Sequence, residues 1–180
     1  MNKWTLTLTA SVVLLTGCMD KSGTTGASIN PTTAPAPGET VIPKAKPKAF
    51  PVVSDPYNPD QAAENGDVVD VHGKKYNLDK WKLFLANIET GVANQVRITQ
   101  YTIEGDPIFS ELVYDGGEAI TYTYDNSMDK FGSDAGRPST VCRGIELEKN
   151  EERGDHYKLT GCDGDIGNRF WFSDMAEEVE

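Results

Sequence analysis

The sequence predicts an α+β domain: one main helix over about residues 78–90, packed on an antiparallel meander sheet of five to six strands between about 96 and 173, with one disulfide. Three observations lead there. Leu78, Trp81, Phe84, Leu85 and Ile88 recur at three- and four-residue steps, the period of a helix with one buried face. From Val96 onward the period becomes two, and the alternating runs are separated by turns too short for crossover connections. Cys142 and Cys162 then fall on two runs that can pair with each other.

The chain begins with a basic residue, Lys3, and an apolar stretch from Trp4 to Leu15 that ends in Leu15-Thr16-Gly17-Cys18. This is the build of a cleaved export signal over residues 1–17. The apolar run is about 12 residues, well short of the roughly 20 a membrane-spanning helix needs. Its ending resembles the bacterial lipobox. That resemblance implies a diacylglyceryl group on the Cys18 thiol and cleavage that makes Cys18 the new N-terminus. Two acyl chains on one residue suffice for stable anchoring. The expected location is therefore the extracytoplasmic face of the cell membrane, with the protein hanging from lipid by Cys18.

Residues 18–59 read as a tether. Eight of the ten prolines lie between Pro31 and Pro59, among Thr, Ala, Ser, Gly and Lys, with few large apolar side chains to offset ordering entropy. A coil of this length spans roughly 35 Å and a polyproline helix about 130 Å, so either lifts a domain clear of lipid head groups.

Residues 60–175 are expected to be one globular domain, followed by a frayed acidic tail, 176–180. Between residues 60 and 180 there are 25 acidic against 12 basic side chains, while the whole chain carries −11. Such a surface argues against nucleic acid and against adsorption to anionic lipid, and it permits a basic protein partner or cations. With Cys18 taken by lipid, Cys142 and Cys162 remain in an oxidising place and are expected to pair. No CxxC spacing occurs, and neither His72 nor His156 completes a recognisable ligand set, so no metal centre is expected.

Within the domain, Asn77 is placed to cap the helix and Gly91 to stop it. Val96–Ile103 is the first strand, followed by a turn at Glu104-Gly105-Asp106-Pro107. Ile108–Tyr114 and Ile120–Tyr124 follow, joined by Asp115-Gly116-Gly117. If Cys142 and Cys162 lie opposite each other, Ile145 faces Leu159 and Leu147 faces Tyr157 on one side. Glu146 then faces Lys158, and Glu148 faces His156, on the other. The turn falls at Glu151–Gly154. This register sets the disulfide on the charged face, so a bulge near Gly144 or Gly161 is expected. Arg169–Ser173 reads as a last short strand.

Two stretches could carry chemistry. Asp163 and Asp165, with Gly167, Asn168 and Asp174, have a weak calcium-loop flavour, and a glycine-rich turn explains the same residues. The long connection after Ile120–Tyr124 has no periodicity, and such loops often bind partners. Asp125, Asn126, Asp129, Phe131 and Arg137 are its candidate contact residues, and a loop held by its own turns and caps is the alternative. No catalytic set is legible: there is no nucleophile elbow, phosphate-cradling glycine loop or zinc spacing.

Asn65-Gly66-Asp67-Val68-Val69, Ile103-Glu104-Gly105-Asp106-Pro107-Ile108 and Tyr122-Thr123-Tyr124-Asp125-Asn126-Ser127 together resemble the C-terminal domain of small lipoproteins from Gram-positive bacilli, domain of unknown function 4362. The resemblance implies an outer-leaflet location and brings no activity, ligand or site residue. The leading expectation is a non-enzymatic binding domain with a protein or cell-wall partner. An immunity or inhibitor lipoprotein that neutralises a basic toxin or hydrolase, and a cell-envelope hydrolase, are the alternatives.

Overall fold

The computed structural model describes residues 48–175. The expected export signal, the lipidation site Cys18, the first part of the tether and the tail 176–180 lie outside the described residues. In chain order the elements are α1 (Pro59–Glu64), β1 (Val68–Val71), β2 (Lys74–Tyr76), α2 (Leu78–Glu89), β3 (Asn94–Tyr101), β4 (Pro107–Tyr114), β5 (Ile120–Asp125), β6 (Ser139–Cys142), β7 (Gly144–Glu148) and β8 (His156–Thr160). A 3₁₀ turn, Asp165–Arg169, follows.

The fold is α+β, and its main sheet is mixed. Six strands lie in the order β2-β1-β3-β4-β5-β6, with β7 and β8 forming a separate hairpin. The antiparallel meander holds from β3 to β6. It fails at β1, which runs parallel to β3, with Val68 beside Ile98 and Val69 beside Thr99. A parallel neighbour needs a crossover, and α2 supplies it. Neither β1 nor β2 shows an alternation long enough to read, being only four and three residues long.

The main helix forms on its apolar stripe, and Trp81 and Phe84 are fully buried against the sheet. Trp81 meets Phe172 and Tyr157 edge-on, at 5.2 and 5.1 Å between ring centres. Burying each such side chain stabilises the fold by about 1.5–3 kcal/mol. Gly91 stops the helix with φ +69°. Val92 N–H donates to Asn87 C=O at 2.8 Å and Gly91 N–H to Ile88 C=O at 3.3 Å, which satisfies two orphan carbonyls of the last turn. The start differs from expectation: Asn77 makes no side-chain cap. It sits in the left-handed region, φ 57°, and its Nδ2 donates to Ala63 C=O at 2.9 Å and Asp67 C=O at 2.8 Å. The residue ties α1, β1 and α2 together at their junction.

The β7–β8 hairpin has the expected register at every position: Ile145 faces Leu159, Glu146 Lys158, Leu147 Tyr157, and Glu148 His156. Its turn spans 151–153, where Asn150 Oδ1 accepts from Glu152 and Arg153 N–H. Cys142 is bonded to Cys162 and fully buried. The chain bends at Arg143, between β6 and β7, and Gly161 adopts φ +60° opposite. That irregularity turns the disulfide off the charged face and into the core beside Ile145 and Leu159. The expected strand Arg169–Ser173 is instead the end of the 3₁₀ turn and one isolated bridge, Phe172 to Tyr157. Its aromatic residues still act as core, with Phe170 and Phe172 buried.

The second face of the sheet carries a smaller core of Val69, Tyr101 and Phe109, closed by Tyr57 and Ala62. Helix α1 begins with a reciprocal cap, Asn58 Oδ1 accepting from Gln61 N–H while Gln61 Oε1 accepts from Asn58 N–H, and Pro59 sits where no donor is needed. Residues 50–58, expected as the end of the tether, are packed here. Val53 and Tyr57 pack into this core and Phe50 lies against Arg97, while Val52 faces solvent, a division that a composition average conceals.

Candidate functional site

Strand β3 alternates, but its polar residues do not face water. Val96 and Ile98 enter the main core, and the opposite set, Arg97 and Thr99, lies under the strap formed by residues 48–58. Arg97 is 3% and Asp67 2% exposed. A buried charge requires a partner, and here the partnering is complete. Arg97 Nε donates to Asp67 Oδ1 at 2.9 Å, Nη1 to Pro51 C=O at 2.9 Å and Nη2 to Tyr57 Oη at 3.2 Å. Asp67 Oδ2 accepts from Tyr57 Oη–H and Thr99 Oγ1–H, both at 2.8 Å. Phe50, Tyr57 and Phe109 place ring centres 5.5–5.8 Å from the guanidinium carbon. Burial pushes the Tyr57 hydroxyl pKa up, against a hydrogen bond from Asn65, and burial likewise raises Tyr101.

The network runs on across the strands. Arg97 Nη1 is 3.8 Å from Glu111 Oε1 on β4. Arg137 Nη2 bonds Glu111 Oε2, and its Nε stands 3.1 Å from Asp125 Oδ2. Asp67, Glu111 and Asp125 therefore each engage an arginine.

Of the five candidate contact residues, Asp125 and Arg137 are thus brought together at the base of the loop. Asp125 Oδ1 also accepts from Ser127 N–H and Oγ–H. Asn126 is buried and closes the loop: its N–H donates to Gly136 C=O at 3.1 Å, and its Oδ1 accepts from Gly136 N–H at 2.9 Å. Asp129 Oδ1 accepts from Phe131 and Gly132 N–H, and Lys130 N–H donates to Asp106 Oδ2. Four of the five residues hold the loop's shape. The fifth, Phe131, presents its ring to solvent, 76% exposed.

The calcium-like stretch is divided. Asp163 Oδ1 lies 3.2 Å from Arg143 Nη2 across the β6–β8 junction, and Asp165 opens the 3₁₀ turn. No group of three or more His, Cys, Asp or Glu able to hold a metal occurs among the described residues. On the outer face of the hairpin, Lys158 Nζ is 2.7 Å from Glu148 Oε2. That hydrogen bond draws the Glu148 carboxyl below its usual range and lifts the Lys158 ammonium.

Arg97, Asp67 and Tyr57 were not among the sequence-derived candidates. The available signal was Arg97 itself, an arginine within an alternating run, with Asp67 directly before the apolar pair Val68-Val69. No described helix is long and apolar enough to cross a membrane. Compared with known proteins, residues 65–158 match the model of a family described as a domain of unknown function, DUF4362. No curated protein and no solved structure matches.

Proposed function

The chain belongs to the DUF4362 family, and from that premise, which brings no activity with it, we propose that it is a lipid-anchored extracytoplasmic protein whose domain binds a partner. The observation that carries the binding reading is Phe131. A large aromatic ring stands in solvent on a loop whose frame is fixed from within by Asn126, Asp129 and the Asp106 contact. An ordered loop loses little conformational entropy on docking, so an aromatic anchor on it is well suited to recognition. The buried disulfide supports the extracytoplasmic location, since such bonds persist where the surroundings oxidise. The anchor at Cys18 and the Gram-positive outer leaflet are part of the same proposal.

The test is photo-cross-linking in intact cells, with a photoreactive residue at position 131 and, as control, at the equally exposed Ile103. One exported partner captured from position 131, and lost in Cys18→Ala, supports the reading. Equal capture from both positions refutes Phe131 as the contact.

A second reading is favoured by charge. The excess of acidic side chains between 60 and 180 suits capture of a basic toxin or hydrolase, which electrostatic steering would accelerate. Association that slows steeply with added salt would distinguish it. The hydrolase alternative needs carboxylates converging on an open cleft, whereas Asp67, Glu111 and Asp125 are each engaged by an arginine.

A further inference from the structure

We infer that the outer half of the strap, Lys48–Val53, is a peel-off cover that leaves β3 and β4 before the rest of the domain unfolds, and that pulling on the tether releases it. The source of the pull rests on the anchored reading proposed above; the cover itself rests on geometry alone.

The strap is held differently from everything around it. Among the described residues, no backbone–backbone hydrogen bond joins residues 48–57 to the sheet, whereas β3 and β4 are paired along eight positions. Its outer half depends on side-chain grips: Arg97 Nη1 on Pro51 C=O at 2.9 Å, Asn65 Nδ2 on Val52 C=O at 3.5 Å, the Phe50 ring on the Arg97 guanidinium, and the half-buried Val53 against the smaller core. Val52 is 90% exposed. Few ladder bonds and little buried area put a segment at the low end of local stability.

The inner end is fastened. Tyr57 is 3% exposed, its hydroxyl bonds Asp67, Asn65 and Arg97, and its carbonyl accepts from Tyr101 Oη–H at 3.2 Å. A chain drawn from its N-terminal side loads Phe50 first, then Pro51, Val52 and Val53, one grip at a time, and halts at Tyr57. Strands β3 and β4 under the same load would have to break their ladder together. Release stops where the packing becomes dense.

What the cover hides is specific. A cavity of about 260 Å³ beside Asp67 and Lys80 and a groove of about 450 Å³ running to Glu111 and Arg137 are both lined by Phe50 and Gln95. Phe50 on the strap and Gln95 on β3 are common to both. With the outer strap gone the two become one groove across β3, β4 and β5, and Arg97 Nη1 loses its carbonyl partner and faces that groove.

The experiment is optical-tweezers stretching of the full-length chain, held by peptide tags at residue 21 and after Glu180. The expected record is a first extension of at most about 30 Å, the contour from Lys48 to Tyr57, followed by cooperative unfolding at higher force. In Phe50→Ala the first event falls to lower force while the main rupture stays, because Arg97 and Asp67 keep each other. A single rupture in the natural chain overturns the inference, as does a Phe50→Ala chain whose main rupture weakens equally. Metabolic labelling with a fatty acid, with Cys18→Ala as control, tests the anchor separately. A first step without label removes the anchored reading alone, and label without a first step removes the cover alone.

Discussion

Gly167 lies directly against Cys162: a β-carbon at this glycine would stand 2.8 Å from Cys162 Cβ and 3.5 Å from Cys142 Sγ. The 3₁₀ turn can cover the disulfide only because residue 167 has no side chain. This accounts for a glycine that a calcium-loop reading would assign to metal geometry. Gly167→Ala should cost about 1–3 kcal/mol through overpacking. Denaturant unfolding checks it, and in a Cys142→Ala, Cys162→Ala background the penalty should shrink, since the obstructing sulfur is gone. An unchanged penalty would place the strain elsewhere. That background itself should lose about 3 kcal/mol, the usual effect of opening a loop of this length.

Asp67 is the hub of the second face. Asp67→Asn leaves Arg97 buried without its carboxylate, and breaking one partner of a buried pair costs about 3–5 kcal/mol. Thr99→Val removes one donor to the same carboxylate and should cost about 1 kcal/mol. Urea unfolding midpoints read both, and equal losses would contradict the assigned hierarchy.

Asn77 combines a left-handed backbone with two half-buried amide bonds. Asn77→Ala loses both and should destabilise by about 2–4 kcal/mol, whereas Asn77→Gly relieves the backbone and should cost less. Thermal unfolding of the two variants gives the order, and a glycine variant weaker than the alanine one would overturn it.

The tyrosines set an alkaline limit. Burial raises Tyr57 and Tyr101 and pushes Tyr122 up to about 12. A hydroxyl whose folded pKa exceeds its unfolded value near 10 keeps its proton in the fold, while the unfolded chain gives it up. Stability is therefore complete below pH 10 and falls as pH rises from there through the folded values, by up to about 1.4 kcal/mol per pH unit for each such tyrosine. The last part of the tyrosinate absorbance of the seven tyrosines should appear together with the loss of circular dichroism between pH 10 and 12. Complete tyrosinate absorbance ahead of unfolding would show these hydroxyls to be solvated.

Local pattern was legible in the sequence wherever one face of an element meets the core and the other meets water. The register of β7 and β8 followed from setting Cys142 opposite Cys162, which gathers Ile145, Leu147, Leu159 and Tyr157 on one face and Glu146, Glu148 and Lys158 on the other. The α2 stripe and its Gly91 stop were readable for the same reason. Arg97 shows where this ends. Alternation says which side chains share a face, not what lies on top of it, and the covering strap is 30 or more residues away in sequence. Strand β1 was hidden too, since Val68 and Val69 are buried on opposite faces and show no contrast. At the candidate loop, composition indicated the residues but not their division of labour, which depends on Asn126 reaching Gly136 and on Asp106 reaching in from another turn.

The Cys142–Cys162 bond encloses the turn at 151–153, which is exposed and bordered by Gly154. A protease that cut there would leave two fragments still joined covalently, with Phe170 and Phe172 kept in place by the half that was severed. Such a nicked molecule would migrate as one species without reductant and as two with it. Backbone cleavage at this exposed turn would then be a scar rather than a death.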